Sequence, residues 1–351
     1  MSDFKEYGFP FFNKYLFNGY IGVTFFYVLS GFIISYSFSG YRNKGLDKKD
    51  FMAFRLFRLY PIHIVTLIVF IFFSYFLFLI SYFLMNNYEF NLFVFISNIT
   101  LTQSFFPNQV YYFSLNSVSW SISSELFFYI SFCVLVMLNT RAVVIILIFI
   151  LALNIYFSIH GFNLFPEHWL LYINPFFRLS DFIFGMLSYK LYSSGKIKLS
   201  YTQGGLFQVF SIIVILTIII TVTTYNIPMN YRYDLIFIIP MTLIVCAFSL
   251  CNGFISKMLD NKYLLLLGDS SFSFYMVHQI ILLNAIHIFN PVGKGIIFVI
   301  LFSLSIFLLC VVLSIILYKL VEYPANSFLR RKWSNYRRSM QKINTSVKYS
   351  D

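Results

Sequence analysis

Few charged side chains interrupt the apolar runs of this 351-residue chain, and each of those that do is a candidate for chemistry. An ionisable group inside hydrocarbon costs about 3 kcal/mol or more unless it is paired or faces water. Glu125, in Ser119-Trp120-Ser121-Ile122-Ser123-Ser124-Glu125, is the clearest case. On a helix Ser121, four positions earlier, shares its face, and Ser119 lies a further half-turn away. A buried carboxylate beside hydroxyls suits a general base, or a group that holds a sugar hydroxyl. It equally suits a structural carboxylate bonded to a neighbouring helix, and both readings stand at this point.

Arg178 and Asp181 are three apart on one helix, either as a substrate-binding pair or as an ion pair that neutralises itself. His63 and His278 lie within apolar runs, as proton-transfer groups or as helix-to-helix hydrogen bonds. His160, His168 and His287 lie farther from the charged loops and are weaker candidates. Arg55 and Arg58 close the basic stretch Arg42–Pro61 and share a helical face. Two guanidiniums offer bidentate bonds to the phosphates of a nucleotide-bearing donor, although anchoring at the membrane surface needs no ligand. There is no Walker loop, no GxGxxG after a strand and no metal-ligand spacing, so nothing supports nucleotide hydrolysis or metal chemistry.

The elements that must position these groups are membrane helices. The chain is 59% hydrophobic and 11% charged, with 47 Phe and 27 Tyr, and its mean hydropathy is +0.78. The expected fold is all-α, a polytopic bundle with spans near 18–40, 59–85, 117–138, 142–160, 172–190, 205–224, 233–251, 272–290 and 295–318. Segment 91–106 is short and interrupted by Asn98, Thr100, Thr102, Gln103 and Ser104. If it re-enters or lies along the surface, every Lys and Arg except Lys5, Lys14, Arg178, Arg232 and Lys294 falls on one side, as the positive-inside rule requires. Nine spans then put the N-terminus outside and the C-terminus in the cytoplasm. Residues 1–330 read as a single membrane-embedded domain and 331–351 as a basic tail. The net charge of +12 follows this loop bias and suits anionic lipid rather than nucleic acid. Cys133, Cys246, Cys251 and Cys310 fall in apolar runs without a CxxC pair, as small buried hydrophobes. The first seventeen residues have no signal-peptide pattern.

Six segments, in order, resemble the acyltransferase-3 family of integral-membrane O-acyltransferases, which modify lipopolysaccharide, capsule, exopolysaccharide and peptidoglycan. They are Gly22-Val-Thr-Phe-Phe-Tyr-Val-Leu-Ser30-Gly31-Phe-Ile-Ile34, Arg55-Leu-Phe-Arg58-Leu-Tyr-Pro61, Ser119 to Tyr129, Arg178 to Gly185, Ser271 to His278, and Glu322-Tyr323-Pro324. The resemblance implies an enzyme of the bacterial plasma membrane. It would move an acyl group, usually acetyl, from cytoplasmic acyl-CoA to a hydroxyl of a cell-surface polysaccharide or its lipid-linked precursor, with no permanently bound cofactor. Arg55 and Arg58 would meet the donor, and Glu125, Ser119 and Ser121 would lie towards the acceptor on the opposite face. The family usually carries a preceding helix with an Arg and, about ten residues on, an essential His; no histidine precedes His63 here. Either the start is misassigned or the copy is N-terminally truncated, or His63 or His278 substitutes. Two other polytopic classes are weighed against this one. A polysaccharide polymerase would carry arginines in a long outer loop, and a lipid-linked glycan transporter would carry several intramembrane cations. Neither pattern is evident, since 86–116 contains no Arg and Arg178 is the single cation within the expected spans.

Overall fold

The computed structural model describes residues 19–43, 45–75, 91–250, 252–291 and 294–348, and among them there are helices and no strands. Nine segments are long and apolar enough to cross a membrane among the described residues. The principal helices are α1 (Ile21–Asn43), α2 (Lys48–Tyr75), α3 (Leu92–Ile99), α4 (Trp120–Leu135), α5 (Thr140–His160), α6 (Pro175–Ser193), α7 (Tyr201–Thr224), α8 (Leu235–Ser249), α9 (Ser271–Phe289), α10 (Ile296–Leu317) and α11 (Tyr323–Lys348). All nine expected spans find a helix, although the expected stretch 76–85 of the second span and Cys251 lie outside the described residues.

Local sequence explains where these helices begin. Asn139 accepts a hydrogen bond from Ala142 N ahead of α5, and Asn174 accepts from Phe176 N with Pro175 following as the first helical residue of α6. Ser200 and Gln203 form a reciprocal capping box on α7. Segment 91–106 forms no helix long enough to cross. Its helix α3 has eight residues, about 12 Å of rise, and a 3₁₀ turn at Gln103–Phe105 follows.

The bundle is built around α1 and α6, whose backbones touch. A Cβ on Gly31 would lie 2.0 Å from the Phe182 carbonyl oxygen, and one on Gly185 would lie 1.9 Å from that of Val28. Glycine pairs permit this approach between membrane helices, where dispersion replaces the hydrophobic effect as the driving force. Tyr27, Phe128, Phe132 and Phe182 pack around the crossing as fully buried rings. The α6 span is 83% buried and the α4 span 67%, against 6% for the span beginning with α10. The helices carrying Arg178, Asp181 and Glu125 are thus central, and α10 presents Ile297, Leu301, Leu304 and Leu308 outward.

The structure sharpens two regions. Most of the stretch Arg42–Pro61, which falls between the first two expected spans, is helical: α2 starts at Lys48 and runs through Pro61. Proline removes one backbone donor, but the packing of Phe51, Leu59 and Ile62 on the core holds the helix through it. Within the basic tail, residues 331–348 continue α11, which docks on the start of α2. Arg337 Nη2 lies 2.5 Å from Asp47 Oδ2 and its Nε 3.0 Å from Asp50 Oδ1. Trp333 Nε1 donates to Asp50 Oδ1 at 2.8 Å, and the Arg330 guanidinium lies 4.8 Å from the Phe54 ring.

Candidate active site

Glu125 projects from the second turn of α4 and is 6% exposed. Its Oε1 accepts from Tyr129 Oη at 2.6 Å and from Ser30 Oγ at 3.2 Å. Tyr129 is one turn along the same helix, so α4 itself supplies the shorter bond, while α1 supplies the other. The second oxygen, Oε2, is buried and has no hydrogen-bond partner among the described residues. A half-satisfied buried carboxylate is costly unless something else completes it.

Cations stand beside it. Arg55, 4% exposed, holds its guanidinium 6.0 Å from the Tyr129 ring and 5.4 Å from the Phe51 ring. It is therefore a cation buried by the protein eight residues into α2, not a group exposed to water, and it joins Arg178 as a second buried arginine. Arg58 is half-buried one turn on. Both guanidiniums interact electrostatically with Glu125, and Arg58 also with Glu322. The expected separation of Arg55 and Arg58 from Glu125 onto opposite faces does not hold: one tyrosine ring lies between Arg55 and the carboxylate.

The serines serve different partners. Ser121 Oγ lies 2.7 Å from Tyr275 Oη, and the Tyr27 hydroxyl donates to the Ser121 carbonyl at 3.2 Å. Ser119 Oγ accepts from Gln103 Nε2 at 3.1 Å. Gln103 is fully buried, and its Oε1 has no hydrogen-bond partner among the described residues. Ser104 and Ser123 hydroxyls lie 2.6 Å apart, Ser123 donates to the Leu101 carbonyl at 2.7 Å, and Trp169 Nε1 donates to the Ser104 carbonyl at 3.0 Å. The non-crossing segment is thereby sewn to α4 through its polar residues. Leu101 and Leu115, on either side of Gln103, have φ of 54° and 52°, a left-handed conformation that costs a branched residue about 1 kcal/mol or more.

The histidines separate. His278 Nδ1 lies 2.6 Å from the Tyr275 carbonyl oxygen, which can only accept, so Nδ1 carries the proton and Nε2 of the neutral ring is an acceptor. His63 is fully buried, and its Nε2 lies 2.9 Å from the Asn98 carbonyl, tying α2 to α3. His168 lies outside the spans among Tyr172 and Tyr233; burial pushes its imidazole down to about 4.

Arg178 and Asp181 form an enclosed network. Arg178 Nη2 lies 2.7 Å from Asp181 Oδ2 and donates to Thr24 Oγ1 at 2.8 Å. Its Nη1 lies 3.1 Å from Asp234 Oδ1 and donates to the Tyr233 carbonyl at 3.0 Å. Tyr27 and Tyr172 rings cover the guanidinium at 5.2 and 5.6 Å. Arg178 and Asp181 are both 0% exposed. Sequence reasoning missed Asp234, which sits at the start of α8 where it reads as an ordinary helix-flanking acid. It also missed Tyr129, whose place one turn after Glu125 was the available signal.

The last two segments also arrive here. A π-helical turn at Tyr318–Glu322 turns Glu322 inward, 4% exposed, where its Oε2 accepts from Ser273 Oγ at 2.6 Å. All six sequence segments, spread over 300 residues, thus meet in one polar interior. A helical membrane bundle enclosing an incompletely paired carboxylate, two guanidiniums and aligned hydroxyls is the architecture of an intramembrane enzyme. The profile of the acyltransferase domain family, acyltransferase-3, matches residues 1–319, and the chain belongs to that family. It is a membrane acyltransferase, an enzyme that transfers acyl groups other than aminoacyl groups. No curated protein and no solved structure matches the chain.

Proposed function

We propose that the protein is an O-acyltransferase that moves an acyl group, acetyl in the simplest case, from acyl-CoA to a hydroxyl of a cell-surface polysaccharide or its lipid-linked precursor. The observation that carries this reading is Glu125, with Oε1 fixed by Tyr129 and Ser30 and Oε2 left for a substrate. In the proposed step Oε2 takes the proton of the acceptor hydroxyl as that oxygen attacks the thioester carbonyl carbon. Arg55 and Arg58 stabilise the oxyanion of the tetrahedral intermediate. Its collapse forms the ester bond, breaks the carbon–sulfur bond and returns the proton from Glu125 to the leaving thiolate.

His278 offers Nε2 as an acceptor for a second substrate hydroxyl. Ser121 and Ser119 orient the acceptor side through Tyr275 and Gln103, and His63 positions α3 beside them. The complete burial of Arg178 and Asp181 favours a positioning role over direct substrate contact, exerted through Thr24 and Tyr27 on α1. The charge bias supports a multi-pass orientation in the plasma membrane with the Arg42–Asp50 end and the C-terminus in the cytoplasm. The test compares glycan O-acylation in a strain lacking the gene with strains carrying the wild type or Glu125→Gln. Restoration by the wild type alone supports the reading; restoration by both removes Glu125 from it.

A further inference from the structure

A cavity of about 240 Å³ lies at the basic end of the bundle, between the last turns of α1, α4 and α6 and the first turns of α5. The Gly31–Gly185 crossing explains its position. Beyond that contact Ser35 and Ser39 on α1 and Met186 and Lys190 on α6 line opposite walls of a gap.

The lining is zoned. Arg42, Lys190 and Ser193 are exposed at the rim, whereas Phe132, Leu135 and Val143 are buried, at 1 to 5% exposure. Lys190 Nζ donates to Thr140 Oγ1, another lining residue, which holds the ammonium against the wall. No Asp or Glu is among the described residues that line it. Two cations with neighbouring hydroxyls and no opposing carboxylate suit a phosphate group. The apolar floor suits what a phosphate-bearing amphiphile or thioester carries behind it.

The floor also adjoins the candidate active site. Glu125, Tyr129, Phe132 and Val136 follow one another at spacings of four, three and four, so they form one stripe down α4. Phe132 and Val136 line the cavity, and Tyr129 bonds Glu125. The Phe132 ring lies 5.1 Å from that of Phe51, which in turn lies under Arg55. A layer of aromatic rings is what stands between cavity and carboxylate.

From this zoning we infer that the cavity binds a phosphate-bearing ligand, with the phosphate at Arg42 and Lys190 and the attached arm lying on Phe132. Two sources share that chemistry. One is the soluble acyl donor, in which case the inference deepens the acyltransferase reading and moves donor recognition away from the buried Arg55. The other is an anionic phospholipid of the surrounding leaflet.

The test uses the purified full-length protein and reads binding without turnover, so that failure here is distinct from failure of the acyl-transfer reading. One arm titrates coenzyme A in neutral detergent by calorimetry. The other compares retention of phosphatidylglycerol and phosphatidylcholine in nanodiscs by native mass spectrometry. Each is repeated with Arg42→Gln/Lys190→Gln, whose side chains are at the surface, and with Met186→Trp, which fills the cavity; thermal unfolding confirms that each variant is folded. Saturable binding of coenzyme A or selective retention of phosphatidylglycerol, weakened about tenfold or more in the double variant and blocked by Met186→Trp, supports the site. The arm that responds names the source. Absence of both, or binding that neither variant alters, overturns it.

Discussion

Replacing Glu125 by Gln isolates charge from shape. Glutamine is isosteric, and its carbonyl oxygen keeps both bonds that fix Oε1, from Tyr129 at 2.6 Å and Ser30 at 3.2 Å. The new amide nitrogen takes the place of Oε2, which has no hydrogen-bond partner among the described residues, so no hydrogen bond among them is lost. The fold should therefore survive, with a melting temperature lowered only as far as buried Arg55 depends on the Glu125 charge. The variant nevertheless cannot accept the hydroxyl proton and no longer balances Arg55 and Arg58. General-base catalysis is worth about 10²- to 10⁴-fold, or about 3–5 kcal/mol of barrier. The assay is acyl transfer by membranes carrying equal amounts of each protein, followed by release of free thiol, with unfolding of the detergent-solubilised protein monitored in parallel. A folded variant that keeps transfer within about threefold of the wild type would refute the assignment of Glu125 as base.

Three further outcomes are expected. Tyr129→Phe removes the shorter hydrogen bond to the carboxylate, worth about 1.5–3 kcal/mol for a charged acceptor, and should lower kcat by about ten- to a hundredfold while leaving binding of coenzyme A unchanged in calorimetry. Arg178→Gln strands Asp181 and Asp234 in the interior and should destabilise the protein by about 3–5 kcal/mol in thermal unfolding, with partial recovery when Asp181→Asn is added. The docking of α11 should weaken in acid. Burial opposes the shift, but the Asp50 backbone N–H and the Arg337 guanidinium together hold the Asp47 carboxyl below its ordinary value of 3.8. Stability from such a group is present above the unfolded value and is lost as pH falls through the lower folded one. Proteolysis in the 331–340 region, slow at pH 7, should accelerate below about pH 4 with an acid-active protease, and Asp47→Asn should remove that part of the pH dependence.

The glycines of α1 and α6 show how packing fixes what the chemistry needs. Ser30 and Gly31 are adjacent: Gly31 seats α1 on Phe182, and Ser30 then faces Glu125. Gly185→Ala would push a methyl into the Val28 carbonyl, and any relief must separate helices that also carry Thr24, Tyr27 and Arg178. A cost of about 1–3 kcal/mol is usual for overpacking, and here it should appear in activity as well as in stability.

Much of this protein was legible in the residues themselves. Spans need only length and apolar composition, so nine of them could be placed from hydropathy, and Glu125 stood out because a carboxylate inside an apolar run demands a reason. That 91–106 forms no spanning helix was also readable, because counting it as a span would put the Lys190–Lys198 and Lys257/Lys262 loops on the wrong side for the positive-inside rule. Partners were not legible. Whether Arg55 points to water or to the core depends on which ring it meets, and only the packing of α2 on α4 sets Phe51 and Tyr129 around it. Asp234 looks like any acid at a helix start until α8 comes to rest beside α6. Periodicity along one helix specifies a face; what that face touches is decided by crossings such as Gly31–Gly185, which involve residues more than 150 positions apart. Composition and hydropathy alone specify a membrane bundle with a costly carboxylate inside it. Tertiary packing surrounds that carboxylate with two arginines, a tyrosine and a serine from three helices, because close helix packing in hydrocarbon leaves buried polar groups few partners except each other.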